Sequence, residues 1–275
     1  MHSWTLSFMF KYVTSLTLAA VCLAAAENVP RVDLHVHLDA EAKGGKRVTP
    51  SEAAALSRKL GVRFGVLAEG GCGGDIRDDK TLEAFLQSME GQPMWRGLQV
   101  YGFGWPNCLS AESLGKLDYI AADALVFPDA SGPHASGRSV WLWLPGVTFA
   151  DPLDFMDRYV DFNLRVLAQR IQVWANPTFI PEGLKARYDE LRTPARMDRL
   201  IAAAVKNHVA IEINAHFQIP SAAFIRRAKA AGAKFSIGFN RHAQGIGEIE
   251  YCLRMARNCG LTAKDFFVPS RDLGK

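Results

Sequence analysis

The chain lacks the marks of several common protein classes. It has no run of like charge, and a net charge of +4 over 275 residues is a small surplus. That removes the basic patch a nucleic-acid binder needs, so no nucleic-acid partner is expected. Five cysteines are too few and too scattered for a disulfide framework. Cys252 and Cys259 fall seven apart on one helical pattern, roughly 10 Å along its axis, beyond the roughly 7 Å a bridge tolerates. Cys72, Cys108, Cys252 and Cys259 are therefore read as free thiols. No repeat, low-complexity tract or linker interrupts residues 30–268, and no G-x-G-x-x-G follows the first strand. The glycine-rich stretch Glu69-Gly-Gly-Cys-Gly-Gly-Asp75 lacks the Lys-Ser/Thr of a P-loop.

What is present suits a folded globule: 49% apolar and 22% charged residues argue against disorder. Residues 1–26 stand apart. Lys11 is their one charged residue, an apolar stretch follows at 13–26, and Ala24-Ala25-Ala26 makes an A-x-A site before Glu27. This layout predicts a secretory signal peptide over 1–26, too short in its apolar part to span a membrane. The expected protein is exported, periplasmic or secreted, with no stable membrane span after cleavage. Residues 27–275 then form one domain, close to the about 250 residues of a single α/β barrel.

Short apolar or β-branched runs at 31–38, 63–68, 98–101, 119–127, 171–175, 209–213 and 234–238 read as strands buried on both faces. A last run at 266–268 is either an eighth strand or a tail. Helices alternate with them under clear punctuation. Thr49-Pro50-Ser51-Glu52 supplies an N-cap, a proline at N1 and a capping-box Glu, and Gly61 ends that helix. Asp151-Pro152 and Thr193-Pro194 open two more; others run at 221–231 and up to Gly260. Such alternation means a parallel sheet, closed or open. Chemically able residues end nearly every strand: His35 and His37, Glu69, Tyr101, Asp123, Asn176, Glu212 with Asn214, then Asn240 and His242. A ring of functional groups at the carboxyl ends of strands is the barrel arrangement, so a TIM-like α/β barrel is predicted.

Asp33-Leu34-His35-Val36-His37 is the sharpest local signal. Strand period two puts His35 and His37 on one face, where two imidazoles can converge on a metal ion. Cys72 is a further candidate ligand near the mouth. Trp105, Trp141, Trp143 and Trp174 are candidates for lining a sugar or aromatic site, or for the core. Arg138 and Arg241 are candidate anion contacts; His216 is placed to approach the mouth.

The motif Asp33-Leu34-His35-Val36-His37 resembles the first motif of the PHP (polymerase and histidinol phosphatase) family and, more distantly, the HxH of amidohydrolases. Val209-Ala-Ile-Glu-Ile-Asn214 resembles the PHP family's late Glu-bearing strand, and Gly238-Phe-Asn-Arg-His242 its closing Ser-Asp-Ala-His. Asn176-Pro177 sits where the family has His-Pro. Residues 31–268 as a whole also look like uncharacterised PHP-like proteins of environmental bacteria. The resemblance implies a distorted (βα)7 barrel that hydrolyses phosphate esters with bound divalent metals, Zn, Mn or Fe. It makes His35, His37, Glu69, Glu212 and His242 the candidate ligands. Glu69 and Asp123 become candidate bases, and Asn176 and Asn240 orient water or a small-molecule substrate, anionic if it is a phosphoester.

This chain departs from the family at several positions. Gly70 replaces a His, Tyr101 stands where the family has a bridging Glu, Asp123 and Asn176 stand for His, and Asn240 for Asp. The departures point to a mononuclear or reduced metal site. They also keep two other readings open: a catalytically degenerate barrel that binds a ligand or partner, and an amidohydrolase-type enzyme acting on a C–N or lactone bond.

Overall fold

Each strand is too apolar to leave a face in water, and the chain solves this by curling one parallel sheet inside a layer of helices. The computed structural model describes residues 29–38, 47–72, 74–128, 139–242 and 245–273, with only the backbone of Arg241 and His242. In chain order the strands are β1 (Val32–His37), β2 (Arg63–Gly70), β3 (Trp95–Tyr101), β4 (Tyr119–Asp123), β5 (Val126–Phe127), β6 (Val140–Trp141), β7 (Val173–Trp174), β8 (Ala210–Asn214), β9 (Phe235–Gly238) and β10 (Arg241–His242). The helices are α1 (Pro50–Leu60), α2 (Asp79–Ser88), α3 (Ala111–Leu114), α4 (Pro152–Leu167), α5 (Tyr188–Leu191), α6 (Pro194–Lys206), α7 (Ala222–Ala230) and α8 (Glu250–Asn258).

The sheet runs β10-β1-β2-β3-β4-β7-β8-β9 and all its pairs are parallel. Its two ends belong to one interrupted strand. β9 pairs with β8, and after Phe239 and Asn240 the same segment resumes as β10 against β1, with Val36 opposite Arg241 and His37 opposite His242. Asn240 takes φ 55° at the break, and its N–H donates to the His35 carbonyl at 3.0 Å. The result is a TIM-like α/β barrel of seven staves, as the sequence pattern predicts.

Asp33 clasps this seam. Its Oδ1 accepts from the N–H groups of His35 (3.1 Å) and Phe239 (3.0 Å), and its Oδ2 from Gly247 (3.0 Å). A bulge in β1 between Asp33 and Val36 re-aims the strand here. Below the mouth, Tyr119 reaches across from β4 and donates to the Leu34 carbonyl at 2.9 Å. A Cβ at Gly97 would strike the Tyr119 ring, so glycine is required there.

The helix punctuation works as read. Thr49 and Glu52 close a capping box on α1 and Gly61 ends it in the left-handed region; Asp151 caps α4 and Thr193 caps α6. One expectation changes, one open choice is decided, and one helix is new. The run at 119–127 is not one strand: Asp123 Oδ1 accepts from Leu125 N–H at 3.1 Å, which turns the chain into the separate β5–β6 hairpin. Residues 266–268 form no eighth stave but a bridge, in which Phe266 pairs with Phe235. Helix α2 went unread because a Thr, Thr81, completes its capping box with Asp78 where a Glu or Gln is the usual sign.

The cysteines also need correcting. The turn after β2 and the segment before α3 bring Cys72 and Cys108 to 5.5 Å between Cα atoms, and they form a disulfide. Spacing in sequence, 36 residues, gave no hint of it. Cys252 and Cys259 are free and buried, as read.

Asp33→Ala strips the acceptor from three buried N–H groups. It should cost about 2–4 kcal/mol and lower the thermal midpoint by roughly 5–15 °C. Asp33→Asn, which keeps one oxygen, should lose less. Equal midpoints for wild type and Asp33→Ala would show that the clasp carries no load.

Candidate functional site at the barrel mouth

The carboxyl ends of β1, β3, β4, β7 and β8 place a continuous hydrogen-bonded set at the mouth. At its centre is His35, buried at 1% exposure. Its Nδ1 meets Glu212 Oε1 at 2.6 Å and its Nε2 meets Gln99 Oε1 at 2.9 Å. Gln99 donates its amide to Asp123 Oδ2 at 3.0 Å, which turns its oxygen toward His35. Both ring nitrogens of His35 therefore act as donors, the imidazolium form.

Glu212 Oε2 is held in turn by Asn176 N–H at 2.7 Å and Asn214 Nδ2 at 3.0 Å. Asn176 reaches its position through a left-handed backbone (φ 48°), a conformation Asn tolerates better than most residues. Its side chain donates to Asp123 Oδ2 at 2.8 Å and accepts from Asn214 (2.9 Å) and Asn240 (2.7 Å). Close approach sets one more requirement: a Cβ at Gly238 would run into Glu212 Oε1 and His35 Cβ.

Charge follows this geometry. Burial works against a charged His35, but the adjoining Glu212, with Asp123 and Asp33 further off, outweighs it and raises the ring above its ordinary value. Burial likewise pushes Glu212 up, and the charge and hydrogen bond of His35 more than reverse this, so Glu212 is lowered. At Asp123 burial wins over the donors Leu125, Asn176 and Gln99, and the carboxyl is raised to about 6.

Above this floor lies a cavity of about 650 Å³, within the range of small-molecule sites. His37, Glu69, Asp123, Asn176 and Asn240 line it, with Tyr101 donating to Glu69 Oε1 at 3.3 Å. The β5–β6 hairpin and its following turn add Trp141 and Trp143 to the wall, and His216 also reaches it. A larger groove of about 840 Å³ runs along the outer wall beside the one-turn α3. It contains none of these mouth residues.

The predicted site residues thus separate into two groups. His35, Asp123, Asn176, Glu212 and Asn240 join one network, and His37 and Glu69 line the cavity beside it. Of His242 only the backbone is described, opposite His37. Sequence reading missed Gln99. It is Gln99, not Tyr101, that joins β3 to His35, and its signal was a lone polar residue two before Tyr101 on the same strand face. Trp105 and Trp174 are core residues at 2% and 1% exposure. Cys72 is tied to Cys108, and Arg138 lies outside the described residues.

Two of the candidate ligands, His35 and Glu212, do not fit the metal centre implied by the family resemblance. A ligand histidine offers a lone pair, and both nitrogens of His35 are turned to oxygen acceptors. Glu212 spends both oxygens on His35, Asn176 and Asn214. Among the described residues no group of three His, Cys, Asp or Glu side chains is placed to hold an ion.

Fold and mouth together define a TIM-like α/β barrel with a polar, carboxylate-bearing cavity at the carboxyl ends of its strands. No protein-family model matches the chain, and no curated protein does. Among solved structures it is similar to an HpcH/Hpal aldolase/citrate lyase family protein from Burkholderia cenocepacia J2315, at 17% identity and a TM-score of 0.33, over 82% of this chain and 92% of that one. It is also similar to a D-hydantoinase at 14% identity and a TM-score of 0.34, over 86% of this chain and 54% of that one. Likeness this low bears on no chemistry, and the barrel rests on its own strand order.

The His35–Glu212 pair has a pH signature. A raised histidine contributes stability that is whole below its ordinary 6.5 and lost as pH climbs through the raised value. A lowered glutamate contributes stability that is whole above 4.5 and lost as pH falls through the lowered value. The pair should stabilise most between these values. Glu212→Gln should cost about 3–5 kcal/mol near pH 6 and lose the decline above pH 6.5. Parallel midpoint curves for both proteins from pH 6 to 9 would refute the pairing.

Proposed function

We propose that this chain is a barrel hydrolase of a small polar substrate, with Asp123 as its proton-transfer group. One observation carries the reading: a buried carboxyl raised to about 6 lies on the floor of a ligand-sized cavity at the mouth. A group titrating there is available in both forms near neutral pH, as general acid–base catalysis requires. Three N–H donors hold Asp123, leaving one of roughly four acceptor positions of a carboxylate. Ionised, it draws a proton from an attacking water; as the acid so formed, it returns that proton to the leaving group. Glu69 is the second carboxylate on the wall, and Asn240 positions substrate. The hydrolytic class itself rests on the resemblance of the His35–His37 motif to PHP and amidohydrolase barrels.

The metal-assisted phosphoester form of this reading asks for gathered ligands and cationic donors. The described lining residues include neither a three-ligand cluster nor an Arg or Lys. Support is therefore stronger for a hydrolase that works through its own carboxylates. Export is part of the proposal, since the Cys72–Cys108 disulfide suits an oxidising compartment. Among the described residues no helix is long and apolar enough to cross a membrane.

A hydrolase panel on chelator-treated protein tests this. Asp123→Asn should lower kcat/KM by about 10²- to 10⁴-fold, and wild-type kcat/KM should rise with pH through about 6. Turnover that appears only on adding Zn, Mn or Fe would instead favour the metal-dependent form. Equal rates in wild type and Asp123→Asn would leave a binding barrel. Peptide mapping under non-reducing conditions should recover Cys72 linked to Cys108, with Cys252 and Cys259 alkylated only after denaturation. Free Cys72 in protein secreted by its host would remove that support for export.

A further inference from the structure

We propose that the mouth cavity takes a neutral carbohydrate, with Trp141 and Trp143 as the platform on which a sugar ring stacks. This rests on the hydrolase reading for its chemistry but not for its recognition. Large aromatic side chains are usually buried, whereas Trp141 and Trp143 are 51% and 42% exposed. Their exposure is built in. From Val140 to Trp143 the residues alternate, Val140 and Leu142 fully buried and the two tryptophans outward. Leu142 N–H anchors the segment to the Leu125 carbonyl at 2.9 Å. The indoles lie nearly parallel, at 11° with centroids 5.5 Å apart.

The rings stack on one another, which leaves an outer face of the pair to meet the C–H face of a pyranose. An alkylammonium group, the other natural guest of an aromatic and acidic site, is held most tightly where several rings cage it. The polar side of the cavity agrees. Sugar hydroxyls both give and accept, and Asn240, Asp123 and Glu69 line the same space as the tryptophans. Asn240 commits one amide N–H to Asn176 and keeps its remaining capacity for a ligand. An anionic substrate would meet two carboxylates and, among the described lining residues, no Lys or Arg.

The test is tryptophan fluorescence titration of the full chain with methyl glucoside, methyl xyloside, cellobiose and maltose, beside tetramethylammonium and phenyl phosphate. At least one neutral saccharide should give a saturable shift. Trp143→Ala and Trp141→Ala should each weaken it about tenfold, with unchanged thermal midpoints, and Trp→Phe should restore part of it. Saturation by tetramethylammonium or phenyl phosphate alone, or no response to any saccharide, overturns the proposal. So does saccharide binding that is unaltered in both alanine variants. Asp123-dependent turnover of a non-sugar substrate without saccharide binding would overturn this inference and leave the hydrolase reading standing. Saccharide binding with no turnover anywhere in the panel would do the reverse.

Discussion

A charge pair sealed away from water organises the mouth of this barrel. His35 and Glu212 are each about 1% exposed and 2.6 Å apart, and ions so buried are tolerable only when their remaining donors and acceptors are met. Meeting them dictates the neighbourhood. Gly238 must be glycine, Asn176 must turn left-handed to offer its N–H, and Gln99 must face its oxygen inward. With Gln99 fixed, its amide falls on Asp123, where the Asn176 side chain arrives as well. The buried carboxyl that could move a proton is held by the same residues that neutralise the pair beneath it.

Where a metal centre needs imidazoles and carboxylates turned toward one point, this mouth has amides turned toward one another. Gln99, Asn176, Asn214 and Asn240 are both donors and acceptors, so they can link ionised groups without adding charge. Such a network is rigid when complete and costly when broken. Such rigidity is what the proposed hydrolase would need of its floor.

Much of the fold was legible because its signals are local. Strand runs, Pro-led helix starts and the polar residue ending each strand are all short-range patterns, and together they specify a barrel. The site was half legible for the same reason. His35, His37, Asp123, Asn176 and Glu212 announce themselves at strand ends; His37, Asp123 and Asn176 line the cavity and His35 and Glu212 lie beneath it. Pairing among them is a matter of three-dimensional reach, which spacing does not encode. Nothing in the chain says that His35 will spend both nitrogens on Glu212 and Gln99. The Cys72–Cys108 bond is hidden likewise, since the two segments that carry it meet only once β2 and β3 pair. The hairpin escaped because one side-chain acceptor, Asp123 Oδ1, ends an otherwise unbroken apolar run.

That hairpin has a consequence for how such a protein can change. β5 and β6 form a two-stranded sheet of their own and share no ladder with the barrel, yet they spring from the strand that ends in Asp123. The aromatic part of the cavity wall thus hangs from the barrel without belonging to its ladder. Phe127, Val140 and Leu142 hold it to the core, so Trp141 and Trp143 could be exchanged while every stave kept its partners. The shape of the cavity wall could then change while the buried network below stayed as it is.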